Sequence, residues 1–375
     1  MSPSGGESAE RTPRITVAFL LYNAAGEVGP LLRSLARQVH PSFPQQADWL
    51  EAVFVDDASA DGTAEAVARA LADIGSPSHY RLRTHPRNLG LAETLNETFR
   101  LARTPFLLTC HLDCRFGSDG YVASMLALIE ANPRAAAITG QPALPRDVRL
   151  PFAEKLNVVA NLMDIFPADP GRELVPVGFA EGRCDVFRVE ALRQVGLYDT
   201  QLRVSGEDQV LAAKLRARAY EIYQAPRLAY HLSVSAEQDS VVKILRHQRL
   251  FGRTTPYIVL AVPGSLDGLV SRSAGANRNR RALLRATQLA ASALYALLPL
   301  LLLAGGPVWP GAGALGLVAA ARGALFARHA RAVRFSAGEG LAFVLLQPPL
   351  DVAYTAGILE GFLRLARGRR AAPID

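Results

Sequence analysis

Cysteine is scarce in this 375-residue chain: Cys110, Cys114 and Cys184 are the full set, and no two form a CxxC pair. An odd number at such spacings excludes a disulfide framework and a structural zinc site, and fits reduced thiols in a cytosolic domain. Lysine is as scarce, at Lys155, Lys214 and Lys243 only, so arginine carries the formal net charge of +7. Aromatic residues make up 7% and no nucleic-acid motif is present, which argues against nucleic acid as the partner of that charge. Residues 1–13 lack the apolar core of a signal peptide and read as a disordered leader. No internal repeat stands out. No Gly-rich phosphate turn follows the first apolar run, which discounts a dinucleotide-dependent oxidoreductase.

What the chain does have is apolar residues, 50% of the total, with the longest runs after residue 285. Before that point short apolar runs alternate with helical patterns. Ile15–Leu21, Trp49–Val55, Tyr80–Thr84 and Phe106–His111 read as strands, separated by helices over 28–38, 64–72 and 91–102. Continuous apolar strands alternating with helices predict an α/β fold with a mostly parallel sheet covered on both faces. Ligands of such sheets sit beyond the carboxyl ends of the strands, where Tyr22, Asp56, Asp57 and Asp113 fall.

The C-terminal region predicts membrane contact. Residues 286–304 carry no charge and are long enough to span a bilayer; a second span, 311–327, contains Arg322. A third segment, 341–363, is interrupted by Pro348, Pro349, Asp351 and Glu360. Arginines precede the first span and follow the second (Arg328, Arg331, Arg334), so a hairpin of two spans puts both clusters in the cytoplasm. The third segment ends in Arg364, Arg367, Arg369 and Arg370, which a full crossing would place outside. It is either re-entrant, bent at Pro348-Pro349, or a conventional span. Residues 236–285 include the stretch Ser240–Tyr257, basic and apolar at helical spacing, and read as an amphipathic interfacial segment. The expectation is a multi-pass protein of the cell (inner or plasma) membrane with its 14–235 domain in the cytoplasm.

Three local features carry chemistry. Asp56 and Asp57 can accept hydrogen bonds from a ribose or a base; alternatively, Asp56 caps the turn that Asp61-Gly62 makes. His111 and Asp113, two apart at a strand end, share a face and form a metal site, a catalytic pair or an accident. Glu207-Asp208 opens a helix, where the dipole favours acidic residues in any case.

The segments "AFLLYN", "VFVDDASADGT", "NLGLAETLNETFRLA", "FLLTCHLDCRF" and "EGRCDVFRVEALRQVGLYDTQLRVSGEDQVLAAKLRARAYEIYQAPRLAYH" occur in the order and spacing of family 2 glycosyltransferases. The chain resembles that family over about residues 14–232. The resemblance implies the GT-A nucleotide-diphospho-sugar transferase fold and inverting transfer from a UDP-, GDP- or dTDP-linked sugar donor. The acceptor is expected to be a lipid-linked or membrane-proximal glycan. By matching motifs, Tyr22, Asp56, Asp57 and Asn88 resemble donor-binding positions, Asp113 the last carboxylate of the DxD motif, and Asp208, with Glu207 beside it, the catalytic base. Mg²⁺ or Mn²⁺ on the diphosphate is implied, and physical chemistry agrees, since a diphosphate among carboxylates needs a cation to screen repulsion.

One position departs from the pattern. His111 stands where the family carries the first Asp of DxD, which implies weaker cation binding and a shift toward Mn²⁺, because imidazole suits Mg²⁺ poorly. His231, at a position often His in the family, is a further metal candidate. Arg249 and Arg253 lie where processive relatives carry a Gln/Arg-rich motif ending in Arg-Trp; the Trp is missing, so the two arginines read as donor-binding or as part of a membrane-facing helix. The alternative function is a catalytically weakened membrane protein that binds nucleotide sugar or partners without transfer. His111 motivates it and Glu207-Asp208 argues against it.

Overall fold

The computed structural model describes residues 12–144, 149–167, 169–202, 206–232, 239–261 and 276–367. Most of the expected leader and Arg369 and Arg370 lie outside these residues, as does part of the expected interfacial segment.

The N-terminal half is built on β1 (Ile15–Leu21), β2 (Leu50–Asp56), β3 (Tyr80–Thr84) and β4 (Phe106–His111), all parallel in the order β3-β2-β1-β4. Every residue of β1 and β2 is buried, as their continuous apolar sequences require. Beyond β4 the sheet becomes mixed. β8 (Cys184–Arg188) returns antiparallel to β4, followed by β6 (Ala135–Ala143), β9 (Glu221–Leu232) and the short β5 (Cys114–Phe116). β7 (Val175–Pro176) pairs with β9. The expectation of a mostly parallel sheet thus holds for the first half, and the antiparallel return of β8 ends it.

Alternation along the strands feeds two cores. On one face Val17, Phe19 and Phe54 pack under α1 (Val28–Ala36), α2 (Thr63–Asp73) and α4 (Tyr121–Ala131), with the Phe19 and Phe54 rings stacked at 4.9 Å. On the other, Ala18, Leu20, Val53 and Val55 meet α3 (Leu91–Leu101), α6 (Val189–Gln194) and α7 (Glu207–Ala217). A third core joins this domain to the C-terminal helices. Leu156 and Val159 of α5 (Phe152–Ala160) pack with Ile244 of α8 (Val241–Ala261) and Leu284 of α9 (Ala276–Leu303). Leu325 and Phe326 of α10 (Trp309–Val333) and Phe343 and Leu350 of α11 (Ala337–Ala366) complete it. Lys155 on α5 donates to Glu339 of α11 at 2.9 Å, while Glu339 and Ser336 form a capping box that starts the helix.

Leu283–Leu303, α10 and α11 are each long and apolar enough to cross a membrane. The third segment differs from the bend considered for it: α11 runs unbroken through Pro348 and Pro349. Each proline removes one intrahelical hydrogen bond, and the packing of α11 on its neighbours on both sides of the pair holds the helix continuous.

Candidate functional site

The register aligns Leu21 with Asp56 and Leu20 with His111, so the ends of β1, β2 and β4 bring Tyr22, Asp56, Asp57 and the His111–Asp113 turn to one edge. Tyr22 is 44% exposed there. Asp56 is buried and accepts from the Ser59 hydroxyl, and Asp61 accepts from the backbone N–H groups of Thr63 and Ala25 at 3.1 and 3.0 Å. Both residues therefore fill turn-building roles.

Asp57 has three partners. It accepts from the backbone N–H groups of Leu89 and Gly90 at 2.8 and 2.9 Å and pairs with His85 Nδ1 at 2.7 Å. His85 Nε2 in turn meets Glu97 at 2.5 Å. Burial by itself would lower the His85 pKa, but the hydrogen bonds to Asp57 and Glu97 outweigh it and raise the value. Asp57 thus fixes the loop between β3 and α3, on which Asn88 is exposed.

A second cluster forms where β4 meets β8. Asp113 is buried; its Oδ2 pairs with Arg183 Nη1 at 3.1 Å, and its Oδ1 accepts from the Cys114 thiol at 3.4 Å. Arg183 also reaches Glu181 at 3.0 Å. Burial lowers the His111 pKa, outweighing Asp113, which raises it, and with Arg183 acting in the same direction as burial. Gly182 lies between these residues at φ +75°, and a Cβ there would stand 3.9 Å from His111 Nε2 and 3.8 Å from Tyr198 Oη. His111 Nε2, Tyr198 Oη and Glu207 Oε2 are all buried without a hydrogen-bond partner among the described residues. Burial, reinforced by Glu207 and Asp208, raises Tyr198 well above the ordinary phenol value. Burial, with Glu181 adding, pushes Glu207 up to about 7. Asp208 is half-buried beside it in the first turn of α7, after Gly206 at φ +93°.

Glu181, Arg183 and Tyr198 lie inside motifs that the sequence displays but were not singled out as site residues. Two others had no local signal. Burial and then Asp113 push Glu154 of α5 up to about 7. Burial and then Arg183 push His247 of α8 down to about 4. Both side chains therefore lie within electrostatic reach of the Asp113–Arg183 pair. His231 is exposed on β9, in register with Arg115 of β5. Arg249 and Arg253 pair with Glu360 of α11 at 3.1 and 3.4 Å, because α8 packs along that helix.

Among the described residues, no three His, Cys, Asp or Glu side chains are placed to hold a cation by themselves. The unpartnered His111 Nε2 beside the Asp113 carboxylate nevertheless offers one nitrogen and one oxygen donor. A nitrogen with an oxygen is a donor pair compatible with a divalent cation.

The model of Glycosyl transferase family 2 matches residues 16–196. No curated protein matches the chain significantly in sequence. Among solved structures, the mannosyltransferase PcManGT from Pyrobaculum calidifontis, in complex with GDP-Man and Mn²⁺, superposes with a TM-score of 0.57 at 19% identity, covering 93% of this chain and 87% of that one. S. aureus TarS 1–349 gives 0.48 at 15% identity over 94% and 92% of the two chains. GalNAc-T7 with UDP, GalNAc and Mn²⁺ gives 0.48 at 14%, over 68% and 52%. At these identities the likeness is one of fold, and it rests on the first.

Proposed function

Residues 16–196 form a family 2 glycosyltransferase domain, and from that premise we propose that the protein is an inverting, membrane-anchored transferase. It moves sugar from a UDP-, GDP- or dTDP-linked donor to a lipid-linked or membrane-proximal acceptor. The observation that carries this reading is the convergence of three unpartnered buried polar atoms, His111 Nε2, Tyr198 Oη and Glu207 Oε2, at the sheet edge. Buried polar groups are costly to leave unsatisfied, so such a convergence marks the place of a polar ligand.

The donor lies across the ends of β1, β2 and β4. Tyr22 offers an exposed ring to the base, and Asp57 holds the loop carrying Asn88 in place. Asp113 and His111 would hold a divalent cation, which when bound would screen the diphosphate charge and stabilise the leaving group. Tyr198, held well above its ordinary pKa, keeps its proton, so its unpartnered hydroxyl is free to donate to a bound donor. Asp208, the less buried of the acidic pair, takes the proton of the attacking hydroxyl from the face opposite the leaving group. The acceptor arrives along the membrane side, since Tyr257 of α8 donates to Asp199 at 3.0 Å and Ile258 touches Gly206, immediately before Glu207-Asp208. The anchor holds the domain at the cytoplasmic side of the inner or plasma membrane.

Asp208→Asn tests the assignment. Turnover with a matched donor and acceptor is expected to fall roughly 10²- to 10⁴-fold, the ordinary worth of a general base, while nucleotide affinity in calorimetry is unchanged. Turnover equal to wild type removes Asp208 as the base.

A further inference from the structure

The C-terminal helices do not cross one another as three parallel spans would. Arg285, Gln288, Ser292 and Tyr295, spread over ten residues of α9, all meet Asp351, Tyr354 or Thr355, within five residues of α11. The two helices therefore cross steeply at a single place. α8, by contrast, runs beside α11 in the same direction: Gly252 abuts the Tyr354 backbone, Gly357 the backbone of Arg249 and Arg253, and Gly361 the Arg253 carbonyl and Pro256. A Cβ at any of these three glycines would collide with the facing helix, so the pairing is backbone to backbone. α8 is itself fixed to the catalytic domain along its length, through Gln248 with Asn161 at 2.7 Å, Tyr257 with Asp199, and Ile258 with Gly206.

We propose that α8 and α11 form a flat two-helix platform that docks on the lipid surface nearest the catalytic domain, and that only α9 and α10 cross the bilayer. Between Arg285 and Leu303, α9 rises roughly 27 Å at the helical pitch, close to the ~30 Å hydrocarbon thickness. Its contacts with α11 run from Arg285 to Tyr295 and so begin at the Arg285 end of the span. On the side of α11 away from α8, Leu341, Leu345, Val352, Leu359 and Leu363 are exposed at spacings of four, seven, seven and four. They form one apolar stripe for the acyl region. Exposed Arg246 and Arg367 supply cations for headgroup phosphates.

Two further features oppose a crossing by α11. Pro348 and Pro349 have no N–H for the carbonyls of Val344 and Leu345, and all four residues are exposed. Such carbonyls are costly in hydrocarbon and find donors in water and headgroups at an interface. A crossing α11 would also carry Arg249, Arg253 and Glu360 of the paired helices into the bilayer.

The inference rests on α9 and α10 being membrane spans and not on the transferase chemistry, so a failed Asp208 test leaves it standing. Single cysteines at Gly338, Ala304 and Arg367 test it with a membrane-impermeant maleimide, because the native Cys110, Cys114 and Cys184 are buried. Gly338→Cys and Arg367→Cys are expected to label only after permeabilisation, and Ala304→Cys, at the hairpin tip, in intact cells. Labelling of Arg367→Cys in intact cells alongside Ala304→Cys means that α11 crosses and overturns the proposal. Protection of Ala304→Cys in intact cells overturns it as well, by removing the crossing hairpin.

Discussion

Asp351 is fully buried where α10 meets α11, and both of its carboxylate oxygens accept from Arg322, at 2.6 and 2.5 Å. Gln288 and Tyr295 of α9 lie beside it, so the carboxylate sits where three helices meet. Asp351→Ala removes the partner and leaves the Arg322 guanidinium, 4% exposed, with no counter-charge; its Nε already lacks a partner. Breaking a buried ion pair in this way costs about 3–5 kcal/mol, whereas replacing both members with apolar side chains of similar volume is neutral or favourable. The expected result is that Asp351→Ala loses about 3–5 kcal/mol on unfolding in mixed SDS–detergent micelles, and that Arg322→Met with Asp351→Leu recovers most of it. A double variant as unstable as the single would show that the carboxylate acts through Gln288 and Tyr295 and not through the arginine. A single variant within about 1 kcal/mol of wild type, the median for exposed pairs, would refute the burial argument altogether.

Two other outcomes follow from the catalytic domain. His85, held between Asp57 and Glu97, has a folded pKa raised above 6.5, so its stabilising contribution is full below 6.5 and is lost as pH rises through the folded value. The thermal midpoint of the wild type should therefore fall more steeply than that of His85→Gln from pH 6.5 upward, and parallel profiles would contradict the pairing. His111→Asp restores a second carboxylate beside Asp113 and is expected to raise Mg²⁺ affinity relative to Mn²⁺ in calorimetry with nucleotide present; an unchanged preference makes His111 a bystander.

The parallel half of the sheet was legible because β1 and β2 are apolar at every position, a pattern that only strands covered on both faces need. The site edge was legible for the same reason, since polar residues that end such strands have few places to go. Tertiary pairing erased the rest. Arg249 and Arg253 find Glu360 more than a hundred residues away, and the local rule that proline breaks helices lost to packing along α11. Asp57 and Asp113 show where sequence reasoning stops. Both are buried aspartates just past a strand end, and the resemblance placed both at the donor. In the folded chain Asp57 takes up two backbone N–H groups and a histidine, while Asp113 pairs with Arg183 and the Cys114 thiol, beside His111, whose Nε2 has no partner among the described residues. The difference between a carboxylate that builds a loop and one that pairs with an arginine is set by which distant segment returns to it. No spacing within either motif encodes that.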